Sequence, residues 1–403
     1  MVFISVKDWN KYLIFPLIGG INKLIINIII YILPDKIHLD DHPFCSGINA
    51  GLGMSLAFIP YLIISKCPKN ENNNDKITFE KIDEESKKSE KYIDPDLKKG
   101  KYLIIFLCSF LDFLQKILVF MFSSHIFNNI WLFNIFFLYL FSLMVDKFHL
   151  YKHHYLSGGI MIFFGIGLNV INLLNIKVNQ IPYLFLSIFI EMIYSLCIIL
   201  AKNGISYKFC SPFEITIYEG IFSLVLNIIF LAISTNIPLS KYFKFSEILK
   251  VSEYNGNKYL DNFYSYFPKM GFTEILSFIV IMIGRVSFNL FTHLTLKHFD
   301  IFHVIFILII GEIQLNWEGK TVFEIVITAI IFAIELFMLL IFCEILELNF
   351  CGLDDNIKKN RDKIQKFIVS DDDSKDSKEI YKVLDLDRDV DSDSKTINSY
   401  LGV

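Results

Sequence analysis

The sequence lacks three features that would each define a class of protein. It has no block of basic residues and a net charge of only −4, which argues against nucleic acid as a partner. Its 7 cysteines are scattered and never form a C-x-x-C pair, which argues against a disulfide framework and a structural zinc site. It has no phosphate-binding glycine loop and none of the common hydrolase motifs. We therefore expect a protein that is not an enzyme and that has no cofactor.

Hydrophobic residues are what the sequence has in excess. They make up 54% of the 403 residues, and phenylalanine alone contributes 41. A soluble protein could not bury this much apolar surface, and the apolar runs repeatedly approach the roughly 20 residues that a helix needs to cross a bilayer. The sequence therefore predicts an all-α integral membrane protein. About ten candidate spans meet this criterion, at 12–33, 45–65, 101–122, 126–145, 154–174, 183–203, 212–233, 273–294, 301–315 and 322–343.

The spacing of the spans predicts a duplicated unit. Two connections are long and polar, 66–100 and 234–272, and each follows the second span of its half. Since five is an odd number, two successive five-helix units enter the membrane from opposite sides, which is the inverted-repeat architecture of many secondary transporters. The predicted units are 12–174 and 183–344.

The distribution of lysine and arginine predicts the orientation. With the N-terminus inside, most basic residues of the short connections lie on the cytoplasmic side, and few lie on the other. This predicts that both termini and the 66–100 loop are cytoplasmic and that the 234–272 loop is extracytoplasmic. The polar composition of the 66–100 loop, and of the acidic tail at 354–403, is typical of disordered segments.

Two charges lie inside the third span. Asp112 and Lys116 are four residues apart and share a helical face that Gln115 extends. A charge at the centre of a membrane costs about 2.5–3.5 kcal/mol on insertion scales, so it persists only beside a partner or a cavity. The residues either form an ion pair that joins helices or line a cavity.

The third span of the second half carries charge at the equivalent position. It places Arg285 and Asn289 along one stripe. Substrate sites of inverted-repeat carriers lie near the midplane between the repeats, which favours a cavity-lining role for both polar stripes. Arginine is also well suited to grip a carboxylate or phosphate through two parallel hydrogen bonds.

The first span of each half adds further candidates. The GGINK stretch brings Asn22 and Lys23 next to two glycines that permit close backbone approach. The sixth span carries Glu191 with Tyr194 on the same side. Glu191 could bind a coupling proton, act as counter-ion for Arg285 or Lys23, or hydrogen-bond to a neighbouring helix.

The histidines at the start of the fifth span form a short cluster. His149, His153 and His154 lie in or near a short connection, without a further ligand group at a suitable spacing. We therefore expect no metal site there. Glu335 and Glu344 are weaker candidates than the charges above, and Glu344 is expected at the surface.

Several local strings carry a family resemblance. These are GGINK at 19–23, HPF followed by a Gly-x-Gly within 42–53, LCSFLD ending at Asp112, KFCSPFEITIYEG at 208–220 and EILELNFCGL at 344–353. In order and spacing they resemble the drug/metabolite transporter superfamily, and most of all the F-type, EamA-like branch of solute carrier family 35. The resemblance covers about 12–353.

The resemblance implies a ten-helix, inverted-repeat carrier that works by alternating access, commonly on an endomembrane. The fourth span departs from the family, because it has NNIWLFN at 128–134 where similar proteins often have a Gln-x-x-Arg-Gly stretch. This departure argues against nucleotide-sugar recognition. A Tyr-x-x-Leu pattern at Tyr381–Leu384 is compatible with an endolysosomal address, with the Golgi as an alternative.

Two functional hypotheses follow. The first is a secondary-active carrier for a small organic solute, with an anionic or phosphorylated solute as a candidate because of Lys23 and Arg285. The second is a membrane receptor or scaffold that retains the carrier fold without transport. The expected partners are the substrate, membrane lipids and, in a homodimer, a second copy of the chain.

Overall fold

The computed structural model describes residues 4–6, 11–32, 42–66, 95–122, 133–146, 152–173, 181–208, 210–239, 251–299, 301–311 and 322–348. Most of the 66–100 loop and the whole 354–403 tail lie outside the described residues, as does the Tyr381–Leu384 pattern. The two predictions of disorder therefore stay predictions.

Helices overlap every predicted span. They are α1 (Ile14–Ile32), α2 (Pro43–Ser55), α3 (Phe58–Lys66), α4 (Pro95–Phe122), α5 (Phe133–Phe141), α6 (Lys152–Leu173), α7 (Ile181–Tyr207), α8 (Pro212–Asn236), α9 (Phe263–Tyr266), α10 (Phe272–His298), α11 (Val304–Gly311) and α12 (Val322–Phe342). The short α9 lies in the predicted 234–272 loop, and α2 and α3 share one span. Both α2 and α8 begin with proline. Proline has no backbone N–H, and in the first turn of a helix that group would have no acceptor within the helix.

Six helical stretches of the described residues are long and apolar enough to cross a membrane. They are Pro43–Ile63, Gly100–Val119, Ile181–Tyr207, Pro212–Asn236, Phe272–His298 and Ile325–Phe342. Three shorter apolar helices are Ile14–Ile29, Phe133–Met144 and Ile301–Gly311. Large apolar side chains such as Phe185, Ile229 and Ile279 are exposed on the surface of these helices. These features are those of an all-α membrane protein.

The packing partners of the helices follow a regular pattern. Helix α1 packs against α10 and α11, whereas α7 packs against α4 and α5. Helix α2 packs against α10, and α8 packs against α4. The remaining large contacts join α2 with α8 and α6 with α12. When the first five predicted spans are exchanged with the last five, the first six of these contacts therefore interchange in pairs, and the α2–α8 and α6–α12 contacts are each converted into themselves.

Glycines allow α2 and α8 to approach closely. A Cβ added at Gly51 of α2 would lie 2.6 Å from the backbone nitrogen of Leu224, and one at Gly220 of α8 would lie 2.7 Å from the carbonyl carbon of Met54. Both distances are shorter than a real carbon contact, so neither position accepts a side chain without a shift of backbone. Helices α2 and α8 therefore pack with their backbones in direct contact.

The segment at 251–272 is folded and not merely a polar connection. Strands β2 (Ser252–Tyr254) and β3 (Asn257–Tyr259) form an antiparallel hairpin whose turn has positive φ at Asn255 and Gly256, which suits an Asn-Gly turn. Asn262 then caps α9 by accepting hydrogen bonds from Tyr264 and Ser265. The described part of the predicted 234–272 loop therefore has secondary structure of its own, which its polar composition did not indicate.

A second pair of strands joins the two ends of the helical region. Strand β1 (Ile4–Val6) precedes α1 and pairs antiparallel with β4 (Leu346–Leu348), which follows α12. The chain before the first helix and the chain after the last helix therefore meet on one face of the bundle.

Candidate functional site

The charges of the third span form an ion pair beside α2. Lys116 Nζ lies 2.7 Å from Asp112 Oδ2 and 3.2 Å from the sulfur of Met54. Asp112 is buried and Lys116 is half-buried. The prediction that the two residues share one helical face is therefore consistent with their direct contact, and the pair faces the α2–α8 side of α4.

A histidine and a glutamate extend this polar region across two more helices. Thr216 and Glu219 lie one turn apart on α8, and both are buried. His293 of α10 places Nδ1 2.8 Å from the Thr216 hydroxyl and Nε2 3.7 Å from Oε1 of Glu219. Asp112 and Lys116 are electrostatic neighbours of Glu219. We call Asp112, Lys116, Thr216, Glu219 and His293 the central cluster.

Hydrogen bonding assigns the tautomer of His293. The Thr216 hydroxyl donates to the carbonyl of Pro212 at 2.9 Å, so its oxygen accepts a hydrogen bond from Nδ1 of His293. Nε2 of His293 then faces Glu219. This assignment follows from the hydrogen-bond network, as tautomers generally must.

Glu219 is incompletely hydrogen-bonded. Its Oε1 atom is buried and accepts no hydrogen bond from the described residues. The 3.7 Å distance to Nε2 of His293 is longer than the 2.7–3.2 Å range of N–H···O bonds. A single proton between these two groups can be bound by the carboxylate or by the imidazole, so the pair has the chemistry of a proton-binding site.

Arg285 lies on α10 but contacts α2. Its guanidinium donates to the carbonyl of Ser46 at 3.2 Å and to the Ser46 hydroxyl at 3.4 Å. The Asn289 amide donates to the backbone carbonyl of Arg285 at 2.9 Å. The arginine predicted to grip a substrate therefore also bridges two helices, and its role in binding stays a prediction.

Lys23 lies where α1 approaches α11 and α10. Its aliphatic stem packs against Gly311, and Nζ lies 5.6 Å from the ring centroid of Phe288, within the range of a cation–π contact. Asn22, its neighbour, is half-buried. Gln115 of α4 is also half-buried.

Glu191 lies in a separate network. It accepts a hydrogen bond from the Asn134 amide, whose oxygen accepts one from the Ser195 hydroxyl at 2.7 Å. Tyr194 packs against the largest apolar cluster. Of the three alternatives for Glu191, these contacts favour hydrogen bonding between neighbouring helices, here α5 and α7.

A fully hydrogen-bonded junction lies at the end of a candidate span, at the start of α2. Asp261 is 0% exposed, and its carboxylate lies 2.7 Å from Nδ1 of His42. The same carboxylate accepts hydrogen bonds from the backbone N–H groups of Phe44, Cys45 and Asn262 at 2.7–3.0 Å. Asp261 therefore caps the N-terminus of α2 from the folded 251–272 segment. Burial raises the pKa of the adjoining Tyr266.

Sequence reasoning identified two of the five residues of the central cluster. It found Asp112 and Lys116 because charges inside an apolar run are conspicuous. It assigned no site role to Glu219, Thr216 or His293. These residues join α8 to α10, and Thr216 and His293 are 77 residues apart in the sequence. No spacing rule connects residues so far apart in the chain. No family model matches the chain, and no curated protein matches it.

Proposed function

We propose that the chain is a secondary-active membrane carrier that moves a small organic solute by alternating access. The proposed architecture is ten spans in two inverted five-helix repeats, with both ends cytoplasmic on an endomembrane. The observation that carries it is the central cluster, in which an ion pair and a proton-binding pair lie together on three of the candidate membrane helices. Buried ionisable groups inside spans are typical of ion and substrate pathways.

Helix packing supports the proposed repeats. The contacts of α1 with α10 and α11 correspond to those of α7 with α4 and α5. A two-fold relation between halves produces this correspondence, and carriers of this kind rock one repeat against the other around a central site. The meeting of β1 and β4 on one face agrees with an even number of spans. The resemblance to the drug/metabolite transporter superfamily points to the same architecture.

Each charged group has a proposed role. The Glu219–His293 pair binds the coupling proton, because neither Oε1 nor Nε2 is fixed by a short hydrogen bond to the other. The Asp112–Lys116 pair senses that charge and acts as the gating pair. Arg285 and Lys23 attract an anionic or phosphorylated solute, for which an arginine fork is well shaped.

Proton coupling can be tested in proteoliposomes loaded with a pH-sensitive dye. The panel of external solutes is nucleotide sugars, sugar phosphates, organic cations and amino acids. We expect one class to drive proton movement in the wild type, and Glu219→Gln to reduce it by about 100-fold or more, the usual contribution of a proton-transfer group. Glu191→Gln is the matched control, since it removes a buried glutamate from a different network.

The outcome also assigns the substrate contact. Arg285→Ala should remove the solute response while the protein keeps its melting temperature within a few degrees. Equal proton movement in wild type and Glu219→Gln would assign coupling elsewhere. Silence of every solute in both flux and thermal stability would favour the scaffold hypothesis, in which the ion pairs only join helices.

A further inference from the structure

The strongest unassigned cluster lies where α6 begins and α12 ends. His153 and His154 are both buried in the first turn of α6, and their ring centroids are 4.0 Å apart. Glu344, which follows α12, places Oε1 3.4 Å from Nε2 of His153. One ligand atom from each of these three side chains lies within 4.8 Å of the others. The sequence did not predict this cluster, because Glu344 is nearly 200 residues away from the histidines.

The backbone of Glu344 is unusual for a residue with a side chain. Its φ is 55°, in the left-handed region. The N–H of Glu344 donates to the carbonyl of Ile341 at 3.0 Å, and the N–H of Ile345 donates to that of Leu340 at 2.9 Å. These two bonds define a Schellman motif that ends α12, with Glu344 at the position where glycine is usual. Glutamate is disfavoured there, and strained residues of this kind concentrate at functional sites.

The distance between His153 and Glu344 is compatible with coordination of a shared metal ion. At 3.4 Å, His153 Nε2 and Glu344 Oε1 are farther apart than in a good N–H···O hydrogen bond. Two ligands of a tetrahedral zinc ion, each about 2.0 Å from the metal, are separated by about 3.3 Å. Two imidazoles and one carboxylate also form a common ligand set for zinc, with a further position open to water.

We propose that His153, His154 and Glu344 form a binding site for a divalent transition-metal ion, with zinc as the best fit. The carboxylate supplies negative charge next to the positive end of α6, which would otherwise disfavour a cation. The ring of His154 packs at a tilt of 51° against Phe342, with centroids 4.7 Å apart, which holds one ligand in place. A bound ion would join the last spans of the two halves. This site does not depend on transport.

The test uses the purified full chain in detergent, with no affinity tag and treated with a chelator. Zinc is titrated against a chromogenic chelator, and cobalt serves as the spectroscopic probe. We expect the wild type to bind zinc, to melt at a higher temperature with zinc, and to show the visible bands of tetrahedral cobalt. Glu344→Gln should weaken zinc binding by more than about 10-fold, since even residues that only orient a ligand contribute this much.

Glu344→Gly separates coordination from backbone strain. Glycine suits the left-handed position, so this variant should melt at a higher temperature than the wild type in the absence of metal, yet lose the zinc-dependent increase. His303→Ala is the control, because His303 is another buried histidine on a different element and should leave zinc binding unchanged. Zinc affinity that is the same in the wild type, Glu344→Gly and a His153→Ala/His154→Ala double variant would overturn the proposal.

Discussion

The described residues include the histidine–carboxylate pairs His42–Asp261 and His293–Glu219 in different regions of the molecule, and these two differ in how well the carboxylate is hydrogen-bonded. At the start of α2, the carboxylate of Asp261 lies 2.7 Å from Nδ1 of His42 and also accepts hydrogen bonds from three backbone N–H groups. In the central cluster, Oε1 of Glu219 lies 3.7 Å from His293 and accepts no hydrogen bond from the described residues. A carboxylate with all its bonds made holds the chain in one arrangement, whereas one with free acceptor capacity can bind a proton or a ligand.

The largest effect should come from removing the saturated carboxylate. Asp261→Ala leaves the N–H groups of Phe44 and Cys45 without their acceptor and separates the 251–272 segment from α2. Each buried N–H group left without an acceptor costs about 1–3 kcal/mol. Chemical unfolding and the rate of proteolysis within 251–272 both measure the loss.

Glu253→Ala is the control in the same segment. Glu253 is exposed and lies 3.9 Å from Lys258 in a surface pair, which is worth about 0–1 kcal/mol. If Asp261→Ala were as stable as Glu253→Ala, the junction would not hold the segment and the distinction between the two regions would be wrong.

Helix α2 connects the two regions, so its packing offers a second test. Gly220→Ala on α8 would press a Cβ against the backbone at Met54, which lies next to Lys116. Overpacking of this kind costs about 1–3 kcal/mol. We expect a lower melting temperature together with altered proton coupling, because the displaced Met54 contacts the central cluster.

Gly159→Ala provides the matched control on another helix. A Cβ at Gly159 would meet nothing within 4 Å, so alanine should leave stability unchanged or raise it by up to about 1 kcal/mol. Equal destabilisation by both substitutions would mean that the loss comes from helix flexibility and not from the α2–α8 contact.

Exchanging the two charges of the ion pair separates structure from function in the central cluster. In Asp112→Lys/Lys116→Asp the two charges keep their spacing. The free energy of unfolding should therefore change by about 1 kcal/mol or less, because a charge pair four residues apart on a helix and a small change in packing each contribute little. Proton-coupled transport should nevertheless be lost, because the positive charge moves relative to Glu219 and His293. Paired measurements of unfolding and flux on the same preparation check this.

Retained flux in the exchanged variant would assign Asp112 and Lys116 to structure alone. Loss of both stability and flux would show instead that the surroundings accept a lysine but not an aspartate at position 116, where Lys116 lies 3.2 Å from the sulfur of Met54.

The helices were predictable from the sequence to the extent that local composition determines them. Apolar runs near the length of a bilayer, and prolines such as Pro43 and Pro212 at helix starts, place each span without knowledge of its neighbours. The hairpin of the 251–272 segment was missed although Asn255-Gly256 is a local turn signal, whereas the contact of Asp261 with His42, across 219 residues, has no local signal. Only two of the five residues of the central cluster, Asp112 and Lys116, were found for the same reason. Isolated charges are visible in the sequence, but their partners on other helices are not.

Replacing Glu335 should have the smallest effect on stability, and this residue is a third buried carboxylate to compare with Asp261 and Glu219. It is 0% exposed on α12, and neither of its carboxylate oxygens accepts a hydrogen bond from the described residues. Glu335→Leu therefore removes a buried polar group without leaving a partner behind, which is neutral or stabilising by up to about 1 kcal/mol. Glu219→Leu, by contrast, leaves His293 facing an apolar side chain and should destabilise. The melting temperatures of the two variants, measured side by side, give the difference. If Glu335→Leu lowered the melting temperature as much as Glu219→Leu, the number of hydrogen bonds that a carboxylate accepts would not distinguish structural from functional carboxylates here.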